Sequence, residues 1–304
     1  MARWGKRLSL LDLPNERSSH ARAVPKGGGV GILGAFLAAS LVLNVPPGFW
    51  APAVFLSLVS FRGDRREIPV LLRLGAQLAA GAVLCASVLP EGLSAPMFAV
   101  LWAAGTVFAA GTANYYNFMD GIDGIAGIAG VVAFGLLGGI GGFSGLPPPA
   151  GDLALCLAFA CVGFLPFNAP RARVFMGDAG SVLLGFVFAG LVLQGAGDLA
   201  DFLVLCGFLF PFYADELTTA WVRLKDGESL LEPHRRHLYQ LLANEMGVDH
   251  WKVSLGYGAV QALAGLGGLA ARPCGLAAAA FFLAACFAAF AWCGFWVRSR
   301  CGAP

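Results

Sequence analysis

Asn114, Asn117, Asp120 and Asp123 recur at every third position in one short stretch. Carboxylates and amides so grouped can share a hard cation and hydrogen-bond a polar ligand. On a continuous helix, steps of three keep neighbours in touch while the row turns about the axis. Gly121 and Gly124 are expected to break that helix and let Asp120 and Asp123 converge on one ligand. Asp123 capping the next helix is the plainer reading, but it accounts for only one of the four residues.

A second stretch, Phe175-Met176-Gly177-Asp178-Ala179-Gly180-Ser181, opens an apolar run. Asp178 reads both as its N-cap, with Ser181 a turn later, and as a Mg²⁺ ligand that leaves room for water and phosphate. Lys26-Gly27-Gly28-Gly29 offers backbone N–H groups and one cation to a phosphate, or simply makes a turn. His234-Arg235-Arg236-His237 puts two imidazoles on one face if helical. Zinc needs more ligands than this pair, so phosphate or nucleotide contact is the leading reading and a membrane-surface basic patch the alternative. Asp215 and Glu216 either line the same cavity or pair with Arg223, and His250 stands isolated, with no expected role.

These groups must be carried by membrane helices. The 304 residues are 58% hydrophobic and 12% charged, with mean hydropathy +0.73, whereas soluble domains carry about 25% charged residues. A soluble fold of this length could not hide so much apolar surface, so the expected class is an all-α polytopic membrane protein forming one domain over 1–304. Ten candidate spans lie near 28–45, 49–61, 70–89, 97–117, 124–143, 153–168, 179–196, 199–221, 252–271 and 274–297. If they alternate, nineteen of the twenty Lys and Arg fall on one face and only Arg272 on the other. The positive-inside rule makes the first face cytoplasmic, and every candidate site segment lands there. Acids at the end of a membrane helix are costly and usually functional.

Gly124, Gly127 and Gly130 read as a close helix-packing seam. The eight cysteines include no C-x-x-C pair and read as small packing residues. The apolar run at 8–11 is too short for a signal peptide.

Taken together, the segments resemble the polyprenyl-phosphate N-acetylhexosamine-1-phosphate transferases, the glycosyltransferase family 4 type. The resemblance runs from about Leu13 to Gln240, through Pro14-Asn15-Glu16-Arg17-Ser18-Ser19-His20, Pro25-Lys26-Gly27-Gly28-Gly29, the 114–124 stretch, Asn168, Phe175-Met176-Gly177-Asp178 and Glu232-Pro233-His234-Arg235-Arg236-His237. The histidine segment looks like the branch that initiates O-antigen or related surface glycans.

The resemblance implies transfer of a sugar-1-phosphate from a UDP-N-acetylhexosamine to undecaprenyl phosphate with release of UMP, dependent on Mg²⁺, in a bacterial inner membrane with the site facing the cytoplasm. It implies Asp64, Asp120, Asp123 and Asp178 as catalytic, with Asp178 and Asp120 on the metal. Asn114, Asn117 and Asn168 would hold the nucleotide, and Lys26, His234, Arg235 and His237 the phosphates.

The family carries an Asp-Asp pair where this sequence has Gly63-Asp64, and a further helix ahead of the Pro14–His20 loop that this sequence does not contain. A catalytically impaired scaffold for glycan assembly is therefore the second reading. A lipid transporter is disfavoured because the polar clusters sit at one face and no inverted repeat is visible. An intramembrane aspartyl protease fails because Phe175 stands where its motif needs glycine. Expected partners are the UDP-sugar, the lipid phosphate and the bilayer. No nucleic acid is expected, and the oligomeric state is left open, a homodimer included.

Overall fold

The structure, a computed structural model, describes residues 11–12, 22–66, 68–139, 146–230, 232 and 234–302. The Pro14–His20 segment lies outside the described residues, as does Pro233. A short antiparallel pair, β1 (Leu11–Asp12) with β2 (Val24–Pro25), precedes the helices. The helices are α1 (Gly29–Val42), α2 (Pro47–Gly63), α3 (Val70–Val88), α4 (Ala95–Phe118), α5 (Ile125–Gly139) and α6 (Pro148–Asn168). They continue with α7 (Asp178–Gly195), α8 (Leu199–Lys225, with a 3-10 turn at Gly207–Leu209), α9 (His250–Ala271) and α10 (Leu276–Arg300). Each corresponds to one expected span. Seven, α3, α4 and α6–α10, are long and apolar enough to cross a membrane; α1, α2 and α5 are shorter.

Without water to drive apolar surfaces together, membrane helices associate through close packing, small residues and interhelical hydrogen bonds. The bundle is built around α7, whose apolar window is 83% buried, against 6% for the peripheral α10. Small residues let α7 sit at the axis. A Cβ on Gly185 would fall 2.7 Å from the Thr112 carbonyl oxygen, and one on Gly190 would fall 2.9 Å from the Phe49 ring. The Gly127–Gly130 seam is as expected. Their Cβ positions lie 2.7 Å from Leu165 and 2.6 Å from Cys161, so α5 and α6 touch closely. The cysteines are free thiols.

The ends of the helices sort into two faces. At one, the end of α2 meets the start of α7 through Asp64 and Asp178. There too the end of α4 meets α7 through Asn117 and Ser181, the start of α9 meets the α4–α5 loop through Ser254, and the end of α10 meets α8 through Arg298 and Thr219. At the other, Arg272 forms ion pairs of 2.6 Å with Asp198 and with Asp201. The alternation expected from ten spans is thus the observed one among the described residues, and Arg272, the cation expected on the far face, is paired.

Candidate active site

Three carboxylates, from the end of α2, the α4–α5 link and the start of α7, gather at the first face. Asp178 is the first residue of α7, reached through Gly177, whose φ of +75° is open to glycine at little cost. Gly177 also lets Asp64 approach: a Cβ there would lie 2.9 Å from Asp64 Oδ2. Asp64 accepts from the Asp178 and Ala179 N–H groups at 3.3 and 3.4 Å. The expectation that Asp178 caps its own helix is therefore corrected. Gly177 is the N-cap residue and no side chain of its own segment caps the helix, while Asp64, brought from α2, covers the positive helix end. Asp178 instead pairs with Arg73 of α3 at 3.6 Å.

Asp120 follows the C-cap Met119 of α4 in the non-helical link to α5. Burial, then Asp178 and Asp64, raise it well above the usual carboxylate range. Burial, then Asp178, push Asp64 up to about 6. Lys26 shares their field. Burial alone would lower its pKa, but Asp12 at 3.2 Å, followed by Asp64 and Asp178, holds it above its ordinary value.

The cluster is thus oxygen-rich and short of positive charge, which suits a hard cation. Among the described residues no three His, Cys, Asp or Glu side chains stand close enough to hold a metal alone.

The structure gives several of the expected site residues partners within the protein. The Lys26–Gly29 glycines do not present a phosphate cradle. The Gly27 and Gly28 N–H groups donate to the Phe175 carbonyl at 3.2 and 2.9 Å, and Gly29 N–H to that of Met176 at 2.9 Å. A Cβ at Gly28 would collide with the Phe164 ring and one at Gly29 with the Gly180 backbone. These glycines dock the start of α1 onto the start of α7, beside the Lys26–Phe175 bridge.

Asn114 exchanges two hydrogen bonds with Gln77 of α3, at 3.0 and 2.8 Å, and clasps helix to helix. Asn117 accepts from the Ser181 hydroxyl at 2.6 Å. Asn168, 3% exposed, accepts from Gly124 N–H at 2.8 Å and donates to Val174 carbonyl at 3.1 Å. It staples two loops, helped by the positive φ of Gly124, +89°. Asp123 lies close enough to Asp120 to add to the field that raises it. Its carboxylate accepts from Ala172 N–H at 3.1 Å and lies 3.5 Å from His250. His250, read as isolated, also accepts from Asp123 N–H at 3.3 Å.

The 234–237 segment is not helical, although its two imidazole rings lie 4.6 Å apart. Burial, then His237 and Arg223, push His234 down to about 4, so it is neutral at pH 7. His237 is 2% exposed and sits between Asp215, 3.7 Å away, and Glu216, 3.5 Å away. Burial alone would lower its pKa, but Glu216 and Asp215 raise it. Asp215, wholly buried, accepts from Leu238 N–H, Tyr239 N–H, Thr219 Oγ1 and Tyr257 Oη. His237 and Asp215 are both buried among protein partners, and Arg223 pairs with Glu228 rather than with Asp215 or Glu216.

The product of this network is position. The Tyr239 hydroxyl donates to the Phe118 carbonyl at 3.0 Å, packs where a Gly121 Cβ would be, and so fixes the histidine loop against the Asp120 loop. Arg235 lies in the same field, close enough to act on Tyr239. Sequence reading missed Arg73, Gln77, Tyr239, Tyr257 and Arg298. A polar or charged side chain inside an apolar span, as at Gln77 and Arg298, was the available signal.

Between them, α4, α8 and α10 leave an apolar groove of about 590 Å³, lined by Phe108, Tyr115, Phe210, Tyr213 and Phe287 among others.

The model of glycosyl transferase family 4 matches residues 47–196, spanning α2 to α7 and all three clustered carboxylates. The undecaprenyl-phosphate alpha-N-acetylglucosaminyl 1-phosphate transferase of Thermotoga maritima is 30% identical over 83% of this chain and 78% of its own length. The decaprenyl-phosphate N-acetylglucosaminephosphotransferase of Mycobacterium tuberculosis is 31% identical over 82% of this chain and 72% of its own. A phospho-N-acetylmuramoyl-pentapeptide-transferase of Staphylococcus aureus is 31% identical over 39% of this chain and 36% of its own. The fold and site define a polytopic membrane enzyme that transfers a sugar phosphate. The chain belongs to glycosyl transferase family 4, within its polyprenyl-phosphate hexosamine-1-phosphate transferases.

Proposed function

We propose that this protein transfers an N-acetylhexosamine-1-phosphate from a UDP-sugar to undecaprenyl phosphate at the cytoplasmic face of a bacterial inner membrane, initiating a lipid-linked surface glycan such as O-antigen. The observation that carries this reading is the gathering of Asp64, Asp120 and Asp178 from three separate segments with Lys26 and Arg73 as the neighbouring cations. Such a cluster suits a reaction in which positioning and charge neutralisation are the main demands.

An oxygen of the acceptor phosphate forms the new bond to the β-phosphorus. The bond from that phosphorus to the oxygen shared with the α-phosphate breaks, and its electron pair leaves with UMP. Asp178 and Asp120 would hold Mg²⁺, which, when bound, neutralises charge on the diphosphate. Lys26 faces the same space and attracts the phosphates. Asp64, at about 6, matches the second ionisation of a phosphate monoester, also near 6, and can take the acceptor's proton. Arg235, carried on the loop that Asp215 and His237 fix, would hold a substrate phosphate. The isoprenoid chain would lie in the apolar groove of α4, α8 and α10. Proteoliposomes given undecaprenyl phosphate and a panel of radiolabelled UDP-N-acetylhexosamines test this. The expected result is labelled lipid and UMP with one sugar, abolished by chelation and restored by Mg²⁺. No labelled lipid with any sugar would refute it.

The second reading, an impaired scaffold, rests on Gly63. A Cβ there would meet only Ile68, at 3.8 Å, so packing does not demand glycine and an acid fits. Gly63→Asp is expected to raise turnover; unchanged turnover would show that this position does not limit the reaction.

A further inference from the structure

On another flank of the bundle, α1 and α6 leave a groove of about 560 Å³ between them. Gly31 and Ala35 form one wall, Ala160 and Gly163 the other, and Phe164 and Phe167 add apolar surface. The small residues here are not consumed by helix contact, since a Cβ on Gly31 or Gly163 would meet nothing within 4 Å. Gly28, at the end of the same groove, is the opposite case and packs against the Phe164 ring.

The groove ends at Arg173, on the face that carries the carboxylates. The Arg173 guanidinium donates to the Pro166 carbonyl at 2.7 Å and lies 5.6 Å from the centre of the Phe167 ring. Both partners belong to the exposed last turn of α6, so the cation is held at the lipid boundary. The cations beside Asp64 and Asp178 are instead Lys26 and Arg73.

An apolar slot that follows membrane helices and finishes at a fixed cation complements a hydrocarbon chain ending in a phosphate. Along α1, from Gly31 to Ala35, it runs about 6 Å at the helical rise per residue, and it continues past the helix start to Gly27.

We propose that the groove between α1 and α6 binds an anionic phospholipid, with one acyl chain over Gly31 and Gly163 and the phosphodiester against Arg173. The site is separate from the transfer reaction and does not depend on that reading. Gly27 and Gly28 line the groove and also hold the Phe175 carbonyl, so a bound lipid braces the segment that leads into Asp178.

Native mass spectrometry of the full chain, titrated with phosphatidylglycerol or phosphatidylcholine of matched chains, tests this. The expected preference for phosphatidylglycerol is about fivefold, the size of one cationic contact at a membrane surface. Arg173→Gln should remove that preference, and Gly31→Leu or Gly163→Leu should remove the adduct itself. Gly75→Leu, an equally open position on α3, should leave the adduct intact. Three results would each overturn the proposal. These are equal binding of the two lipids to the wild type, an undiminished adduct in both groove-filling variants, and displacement of phosphatidylglycerol by equimolar undecaprenyl phosphate. The last would make the groove the acceptor's.

Discussion

Asp215 and Asp120 stand at the same end of one apolar bundle, and their surroundings differ in kind. Asp215 accepts from two backbone amides, a tyrosine and a threonine, with His237 beside it. Its charge is fully answered by protein, and its effect is to fix a loop. Asp120, Asp64 and Asp178 stand where each acid raises the others or is raised by them, against Lys26 and Arg73. A folded protein retains such an imbalance where a bound ligand completes it. Acids that build and acids that act are thus separated by who supplies their partners.

The sharpest way to break this comparison is to neutralise one acid from each group. Asp178→Asn and Asp120→Asn should each lower turnover by roughly a hundredfold or more, the scale of losing one transition-state contact, with an unchanged or higher melting temperature because repulsion is relieved. A fall in melting temperature with near-normal turnover would place them with Asp215. Asp215→Ala should do the reverse. Removing one partner of a buried charged cluster costs about 3–5 kcal/mol, read as a lower melting temperature and less folded protein in membranes.

A smaller effect concerns pH. Asp64 ionises at about 6 in the fold, against 3.8 for the free group. Between those values the folded protein binds a proton that the unfolded chain releases, so this group's contribution to stability falls as pH rises from 4 to 6. Asp64→Asn should therefore flatten the metal-free melting profile between pH 4 and 6. An unaltered slope would show that Asp64 carries no such charge.

The smallest effect is expected at Asn114. Asn114→Ala should cost about 1 kcal/mol through the lost pair with Gln77 and leave the KM for the UDP-sugar unchanged. A raised KM would return Asn114 to the binding surface.

The helices were legible because apolar runs and their punctuation suffice to define spans; the one read as 199–221 is α8, Leu199–Lys225. The convergence of Asp120 and Asp178 was legible for a related reason, since an acid at the end of an apolar run marks the end of a helix, and alternation puts those ends together. The fates of the amides were not. Asn114 finds its partner 37 residues away and Asn168 bonds a backbone amide 44 residues away, contacts that follow from packing and leave no local pattern. The triple glycine stayed ambiguous because a phosphate loop and a close helix crossing ask for the same residue. The surroundings of His237 were not legible because its neighbours, Asp215 and Glu216, sit in a different span.

The burial of α7 has a consequence for life in a changing bilayer. Outer helices tilt to follow membrane thickness, as the lipid-facing α10 is free to do. The helix that begins with Asp178 is walled off by its neighbours and serves as a fixed mast, so the reaction centre keeps its shape while the rim of the protein adjusts to whatever membrane surrounds it.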